Sequence, residues 1–346
     1  MSIQSDELVS FTQQFANLIN AGIPLSNALL ALQEQEENRE LREIISQVSQ
    51  SVQGGSLLSE ALLKHPRVFS RFFTSMVYAG EQGAGLPKVL TNIADHLEKE
   101  SALKAKVRGV FTYPLVIGFL VLLIVGFLIV VVAPVFAGVY RQLRVALPWP
   151  TQLLLTISFG IRHYWWVLAL LSSGIFYGCR RMSSLAAGRE FLDETLLKLP
   201  FIGKFLHKVV VANFVRGLGD MLSCGVPIID ALDIVARVVG NRNISKEIKQ
   251  MKSSIQAGGR LTETLGRSNV FPPIVVQMAY AGEESGSLGE MFGKCANTLE
   301  QDVAASARRL IVILEPSLTL ILAGIVGFIA VAIYLPMFDL VRLVSQ

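Results

Sequence analysis

FTQQFANLINAGIPLSNALLAL at residues 11–32 is matched by FVRGLGDMLSCGVPIIDALDIV at 214–235, and this pairing decides the fold. The match continues through VYAGEQGAGL at 77–86 and AYAGEESGSL at 279–288. The two copies stand 203 residues apart at Gly22/Gly225 and Pro24/Pro227. They stand 202 apart at Phe69/Phe271, Gly80/Gly282, Glu81/Glu283 and Pro114/Pro316, so one residue was lost near Pro66. Each copy runs into a long apolar segment, which makes the repeated unit a polar helical domain with its own membrane helix.

The bulk composition agrees with a hybrid of that kind. Of 346 residues 52% are hydrophobic and 17% charged, and the mean hydropathy is +0.50. That is too apolar for an ordinary soluble chain and too polar for one that lies wholly in a membrane. The net charge of +4 is too mild to imply nucleic acid as a partner, and membrane-flanking Lys and Arg account for it. Cys179, Cys224 and Cys295 are odd in number, widely spaced and free of any CxxC pattern, so neither a disulfide framework nor a zinc site is expected. The opening MSIQSDELVS is acidic where a signal peptide needs a basic start and an apolar core, so the N-terminus is expected in the cytoplasm.

Three apolar runs follow along the chain. No charge occurs from Gly109 to Tyr140, and Leu115 to Val132 is long enough to cross a hydrocarbon core. Tyr164–Cys179 is a shorter charge-free run after Arg162 and His163, and Pro316–Phe338 is the third. Lys99, Lys104, Lys106 and Arg108 precede the first run, Arg180, Arg181 and Arg189 follow the second, and Arg308 and Arg309 precede the third. The positive-inside rule makes those flanks cytoplasmic. Arg141, Arg144 and Arg162 fall between the first two spans, fewer than on the other side, and Trp149, Trp165 and Trp166 mark the aromatic belt there. The unduplicated second span returns the chain to the cytoplasm, so that both copies share one compartment.

Within the first copy the helical period is plain. Leu8, Phe11, Phe15, Leu18 and Ile19 recur at three- and four-residue steps after the acidic start Ser5-Asp6-Glu7. Asn38 caps a helix carrying Leu41, Ile44, Ile45, Val48 and Val52 that stops at Gly54-Gly55. Ser56–Lys64, Ser70–Tyr78 and Leu86–Lys106 read as three further helices, the last leading toward the membrane. The expected fold is therefore an all-α membrane protein with two repeated cytoplasmic helical bundles of about six helices each and three transmembrane helices. The expected division is a first cytoplasmic domain at 1–110, transmembrane helix 1 at 111–137 and an extracytoplasmic loop at 138–160. Transmembrane helix 2 follows at 161–181, a cytoplasmic connector at 182–213, the second cytoplasmic domain at 214–312, transmembrane helix 3 at 313–338 and an extracytoplasmic tail at 339–346.

Several motifs invite a functional reading. Gly22-Ile23-Pro24 and Gly225-Val226-Pro227 set a helix-stopping glycine two residues before a helix-starting proline, a tight corner whose architectural reading outweighs any ligand role. Gly80-Glu81 and Gly282-Glu283 repeat a carboxylate at a helix end, where a capping or basic residue is commoner. Glu81 and Glu283 are thus candidates for binding a cation or pairing with a partner's arginine, while the plainer and favoured alternative is a salt bridge inside the bundle. Glu315, just before Pro316 and in the place of Tyr113, reads as an interfacial anchor rather than a proton relay. Gly174 and Gly178 form a GxxxG pattern, weak support for helix packing or dimerisation.

Signatures of catalysis are missing. Gly259-Arg260-Leu261-Thr262-Glu263-Thr264-Leu265-Gly266-Arg267-Ser268 has the wrong spacing for a phosphate loop and Arg267 where Lys is needed. His65, His96, His163 and His207 are scattered without a helical pair for a metal. No enzyme activity and no cofactor are expected, and no metal site can be placed.

The ordered pattern AGIPL, then YAGE with Gly-x-Gly-Leu, then Tyr113-Pro114 or Glu315-Pro316 resembles the F-family inner-membrane platform protein of type II secretion and type IV pilus assembly systems. The resemblance covers about Phe11 to Asp339. It implies a platform at the base of the machine that contacts the cytoplasmic assembly ATPase, pilins or pseudopilins and other inner-membrane components, and that self-associates as a homo-oligomer within the lipid. The family pattern is broken where Ser285 and Ser287 replace Gly83 and Gly85, so the two halves need not meet the same partner. A rival reading from the repeat alone is an oligomeric membrane transporter, but three spans leave almost no polar group at the midplane. A sensor is disfavoured by the short outward loop.

Overall fold

The computed structural model describes residues 5–128, 135, 149–184, 202–239, 241–268 and 270–344. Among these the structure is all-α, with no strand. It divides into two compact units, one formed by Met1–Lys106 with Asp193–Ser306 and the other by Val107–Leu192 with Ala307–Gln346.

Helices α1 (Ser5–Asn20), α2 (Leu25–Gln35), α3 (Arg39–Gln53), α4 (Leu58–Leu63) and α5 (Arg71–Ala79) open the first unit. A π-helical turn at Gly80–Ala84 and helix α6 (Leu86–Phe127) follow. Asn38 caps α3 as expected, its side-chain oxygen accepting from the backbone N–H of Glu40 at 3.0 Å and Leu41 at 3.4 Å. The face of α3 carrying Leu41, Ile45 and Val48 is buried. Phe11, Phe15, Phe69 and Phe73 knit α1 to the segment entering α5, with ring centroids 5.7 Å apart for Phe11/Phe15, 6.1 Å for Phe11/Phe69 and 5.1 Å for Phe69/Phe73. Burial of each such ring stabilises by a few kcal/mol.

After α7 (Trp149–Ser184), the helices α8 (Ile202–Ser223), α9 (Ile228–Val238), α10 (Arg242–Gln256), α11 (Leu261–Arg267), α12 (Pro273–Ser285) and α13 (Leu288–Val344) run in the same order as the first six. Their anchors recur at the expected spacing. Asn241 caps α10 by accepting from Asn243 and Ile244 N–H at 3.0 and 3.1 Å, and Phe214 meets Phe271 at 5.0 Å as Phe11 meets Phe69. Helix α8 begins well before residue 214, so the end of the segment read as a connector is continuous with the first helix of the second copy.

Helices α6 and α13 each contribute to both units. Among the described residues these two helices are long and apolar enough to cross a membrane. Their apolar stretches turn outward: Leu115, Phe119 and Leu122 on α6 and Val312, Leu320 and Ile321 on α13 are all exposed, the arrangement expected where the surrounding medium is hydrocarbon. Helix α7 already starts at Trp149, within the stretch read as a loop, and its backbone departs from helical geometry at Tyr164, next to Arg162 and His163. In the second unit, Thr151 Oγ1 of α7 donates to the backbone oxygen of Ala332 at 2.6 Å. Around it Ile329 and Ala332 pack with Val125, Leu128, Leu155 and Ile325. Residues 129–134 and 136–137 of the stretch expected as transmembrane helix 1, 138–148 of the expected loop, 185–201 of the expected connector and 345–346 of the expected tail lie outside the described residues.

Candidate functional site

The two repeated corners are built alike. Gly22 (φ 81°) and Gly225 (φ 78°) take the left-handed conformation that closes a helix. At the first corner Ile23 N–H donates to Leu18 O at 3.1 Å and Gly22 N–H to Ile19 O at 3.0 Å; at the second, Val226 N–H reaches Met221 O and Gly225 N–H reaches Leu222 O, both at 3.0 Å. These are Schellman closures, and they satisfy carbonyls that the helix end would otherwise leave unpaired. Pro24 and Pro227 stand at the N-caps of α2 and α9, where the missing N–H costs nothing and the carbonyl accepts from Ala28 and Ala231 at 3.0 and 2.9 Å.

Gly80 and Gly282 answer a different need, close approach. A Cβ on Gly80 would lie 3.2 Å from Val89 Cβ, and one on Gly282 would lie 2.8 Å from Leu288 Cα. The chain then turns with a shared bond, Gly85 N–H to Gly80 O at 3.2 Å and Ser287 N–H to Gly282 O at 3.0 Å. The left-handed residues differ, being Gly83 and Gly85 in the first copy and Gly286 in the second. Ser285 and Ser287 are tolerated because the positive φ has moved to Gly286, and their hydroxyls meet at 2.6 Å.

Glu81 and Glu283, the partner-contact candidates, point back at the start of the neighbouring short helix. Glu81 accepts from Leu58 N–H at 2.6 Å, Ser59 N–H at 3.2 Å and Ser59 Oγ–H at 2.5 Å. Glu283 accepts from Leu261 N–H at 2.7 Å, Thr262 N–H at 3.4 Å and the Thr262 hydroxyl. Each carboxylate thus caps a helix from a distance of more than 20 residues in sequence, meeting unpaired N–H donors at the positive end of the dipole. Among the described residues an ion pair joins this arrangement only in the second copy, where Arg260 Nε lies 3.7 Å from Glu283 and Arg260 Nη2 2.5 Å from Glu284. Glu284 holds the Arg260 guanidinium above its ordinary pKa. The position of Arg260 is taken by Leu57 in the first copy. Among the described residues no group of three or more His, Cys, Asp or Glu side chains could hold a metal ion.

Between the copies lies a joint that sequence reading missed. Arg216 on α8 is almost fully buried. Its Nε donates to Glu300 Oε1 on α13 at 2.8 Å, its Nη2 donates to Asn297 Oδ1, and Nη1 stands 4.0 Å from Asp220 Oδ1. Asp220 Oδ2 accepts in turn from His96 Nδ1–H on α6 at 2.6 Å, and the His96 ring stacks on Phe72 with centroids 4.1 Å apart. Asn92 Nδ2–H reaches Cys224 Sγ at 3.1 Å alongside. Burial is the first cause raising the Cys224 thiol above its ordinary pKa.

The same joint frames a cleft of about 660 Å³ whose walls include Arg71 and Tyr78 of α5, the Val226-Pro227 corner, and Asp230 and Arg237 of α9. Asp233 on this wall is bridged by Lys252 at 3.0 Å and Arg237 at 2.6 Å. The hydrogen bond from Lys252 is the leading cause that holds its carboxyl below the usual value.

The remaining sequence candidates are placed apart from the corners. Gly174 and Gly178 on α7 are exposed, and beyond the adjoining backbone of their own helix no atom of the described residues lies within 4 Å of where their Cβ atoms would be. Pro114 and Pro316 fall inside the continuous helices α6 and α13. Glu315 is exposed on α13 among apolar residues that include Ile313 and Leu320.

The model of the type II secretion system protein F family matches this chain twice, at residues 11–134 and 214–336, each match covering one run of helices from the first aromatic anchor into an apolar segment. The chain belongs to that family. Curated members cover nearly all of it. The chain is 34% identical to the type IV pilus assembly protein PilC of Myxococcus xanthus over 98% of its own length and 81% of that protein's. It is 37% identical to PilC of Thermus thermophilus (98% and 84%) and 36% identical to the type II secretion system protein F of Xanthomonas campestris (98% and 84%). As a protein F family member the chain thus stands close to proteins named for both machines.

Proposed function

We propose that this protein is the inner-membrane platform of a type IV pilus or type II secretion machine, a scaffold that passes motion from the cytoplasmic assembly ATPase to pilins or pseudopilins. The observation that carries the reading is the double family match, with each matched half ending in an outward-facing apolar helix. In this reading residues 1–110 and 214–312 are two cytoplasmic bundles, the spans lie at 111–137, 161–181 and 313–338, and the loop 138–160 and tail 339–346 are extracytoplasmic. The basic flanks Lys104, Lys106, Arg108, Arg308 and Arg309 support that orientation. The role is a non-enzymatic one, and other inner-membrane components and further copies of the chain complete the assembly.

Glu81 and Glu283 enter partner contact indirectly, by locking the corner that presents exposed Tyr78 and Tyr280. The part-buried network from Arg216 to His96 makes the two bundles move together when one is pushed. Glu315 serves as an interfacial anchor, and Gly174 with Gly178 leaves a face open to a second copy.

The test is a deletion strain complemented with the full chain, combined with pull-down of the assembly ATPase by the detergent-solubilised protein. Loss of filament assembly on deletion and recovery of the ATPase in the pull-down are the expected results. Normal assembly without the gene, together with no ATPase binding, refutes the proposal.

A further inference from the structure

The second bundle carries a groove at the end where α8 begins and where α13 leaves the first unit. Its volume is about 660 Å³, within the range of small-molecule sites, and its lining is mostly apolar. Val211, Phe271 and Leu299 form a buried floor, and Pro272 and Pro273 form one wall. His207 Nε2 lies 2.8 Å from Val270 O and ties that wall to α8. On the rim stand two exposed lysines, one turn apart on α8. Lys208 Nζ donates to Ser306 Oγ at 3.0 Å, whereas among the described residues no hydrogen bond or ion pair engages Lys204. Asp302, one turn before Ser306 on α13, also lines the groove.

We infer that this groove seats one anionic phospholipid, its phosphate held by Lys204 and Lys208 and an acyl chain laid on Val211, Phe271 and Leu299. An apolar trough beside a cationic rim matches the two ends of such a molecule, which neither a free anion nor a purely apolar ligand does. The location agrees. On α13 the exposed apolar residues Val312 and Ile313 begin ten residues beyond Asp302, about 15 Å along the helix axis, so the groove opens near the headgroup layer. Lysines at a membrane surface attract anionic lipid by about 1 kcal/mol each. The inference rests on the membrane placement proposed above.

The full chain is reconstituted in nanodiscs of phosphatidylglycerol and phosphatidylcholine, returned to mild detergent, and the retained lipid is identified by mass spectrometry. Wild type is expected to retain phosphatidylglycerol over phosphatidylcholine by roughly thirtyfold, the effect of two such lysines on a headgroup that is net anionic rather than neutralised by its own choline cation. Lys204→Gln/Lys208→Gln abolishes the preference, while the equal charge loss Lys249→Gln/Lys294→Gln retains it. A bimane label on Ile274→Cys, beside the groove, is quenched by spin-labelled phosphatidylglycerol in wild-type background and not with the lysine pair removed. Equal retention of the two lipids, an unchanged preference in Lys204→Gln/Lys208→Gln, or displacement of the lipid by millimolar inorganic phosphate overturns the inference. Failure of the chain to enter nanodiscs at all overturns the membrane placement itself.

Discussion

His96 Nδ1 on α6 donates to Asp220 Oδ2 on α8 at 2.6 Å, joining residues of the two repeats across 124 positions of sequence. Neither residue is repeated. The duplication puts Thr298 at the place of His96 and Asn17 at the place of Asp220. The contact therefore belongs to the joint between the copies and not to the fold of either one. By contrast Arg216 and Glu300 have Gln13 and Glu98 as their counterparts, and that pair is also bonded, Nε2 to Oε2 at 2.9 Å.

His96→Ala is expected to lower the stability of the first unit by about 1–3 kcal/mol, because it leaves a part-buried carboxylate short of a donor and removes the ring stacked on Phe72. Hydrogen exchange checks the assignment: amides of α6 and α8 near residues 96 and 220 exchange faster, while those of α3 and α10 stay as in wild type. Uniform acceleration over the whole chain contradicts a joint of this kind.

Glu81→Ala removes the acceptor of three hydrogen bonds and costs about 1–3 kcal/mol, with Glu81→Gln intermediate because one amide oxygen remains. Thermal unfolding of the two variants gives the order. If instead Glu81→Ala matches wild type in stability, the capping role is excluded.

Gly282→Ala is expected to destabilise more than Gly80→Ala. The new methyl meets the backbone of Leu288 at 2.8 Å in the first case and the side chain of Val89 at 3.2 Å in the second, and a side chain yields more easily than a backbone. A cost of about 1–3 kcal/mol for Gly282→Ala in denaturant unfolding agrees with overpacking of this size. Equal midpoints for the two variants argue against it.

Asp233 carries an acid-sensitive contribution. Its folded-state pKa is lowered by Lys252 first and Arg237 after, so the unfolded chain binds the proton more readily. The stabilisation is complete above the ordinary value of 3.8 and is lost as pH falls through the lower folded-state value. Lys252→Ala is expected to flatten the loss of stability in that acid window, measured as the slope of unfolding free energy against pH. An unaltered slope contradicts the assignment.

Cys224 and Cys295 are both buried, and burial raises Cys295 to about 11. In a Cys179→Ser background, maleimide at neutral pH is expected to label neither thiol until the protein is unfolded. Rapid labelling of the native protein by mass spectrometry refutes the burial of these residues.

The repeat, the helical period, the cap Asn38, the corners at Gly22 and Gly225 and the apolar segments were all legible in the chain itself, because each depends on residues a few positions apart or on a pattern printed twice. Short-range chemistry of this kind, a left-handed glycine or a side chain bonding an N–H two residues on, needs no knowledge of the rest of the fold. Family membership followed from the same order and spacing. The tertiary structure alone decided what the carboxylates and the scattered histidine do. Glu81 reads in sequence as a helix-end charge seeking a cation, and only the return of α5 past the start of α4 gives it backbone donors. His96 has no periodic signal, since its partner comes from the other copy and its own counterpart is a threonine. Contacts between distant segments follow from how helices pack, and packing is fixed by the whole set of buried faces at once, which no local pattern records.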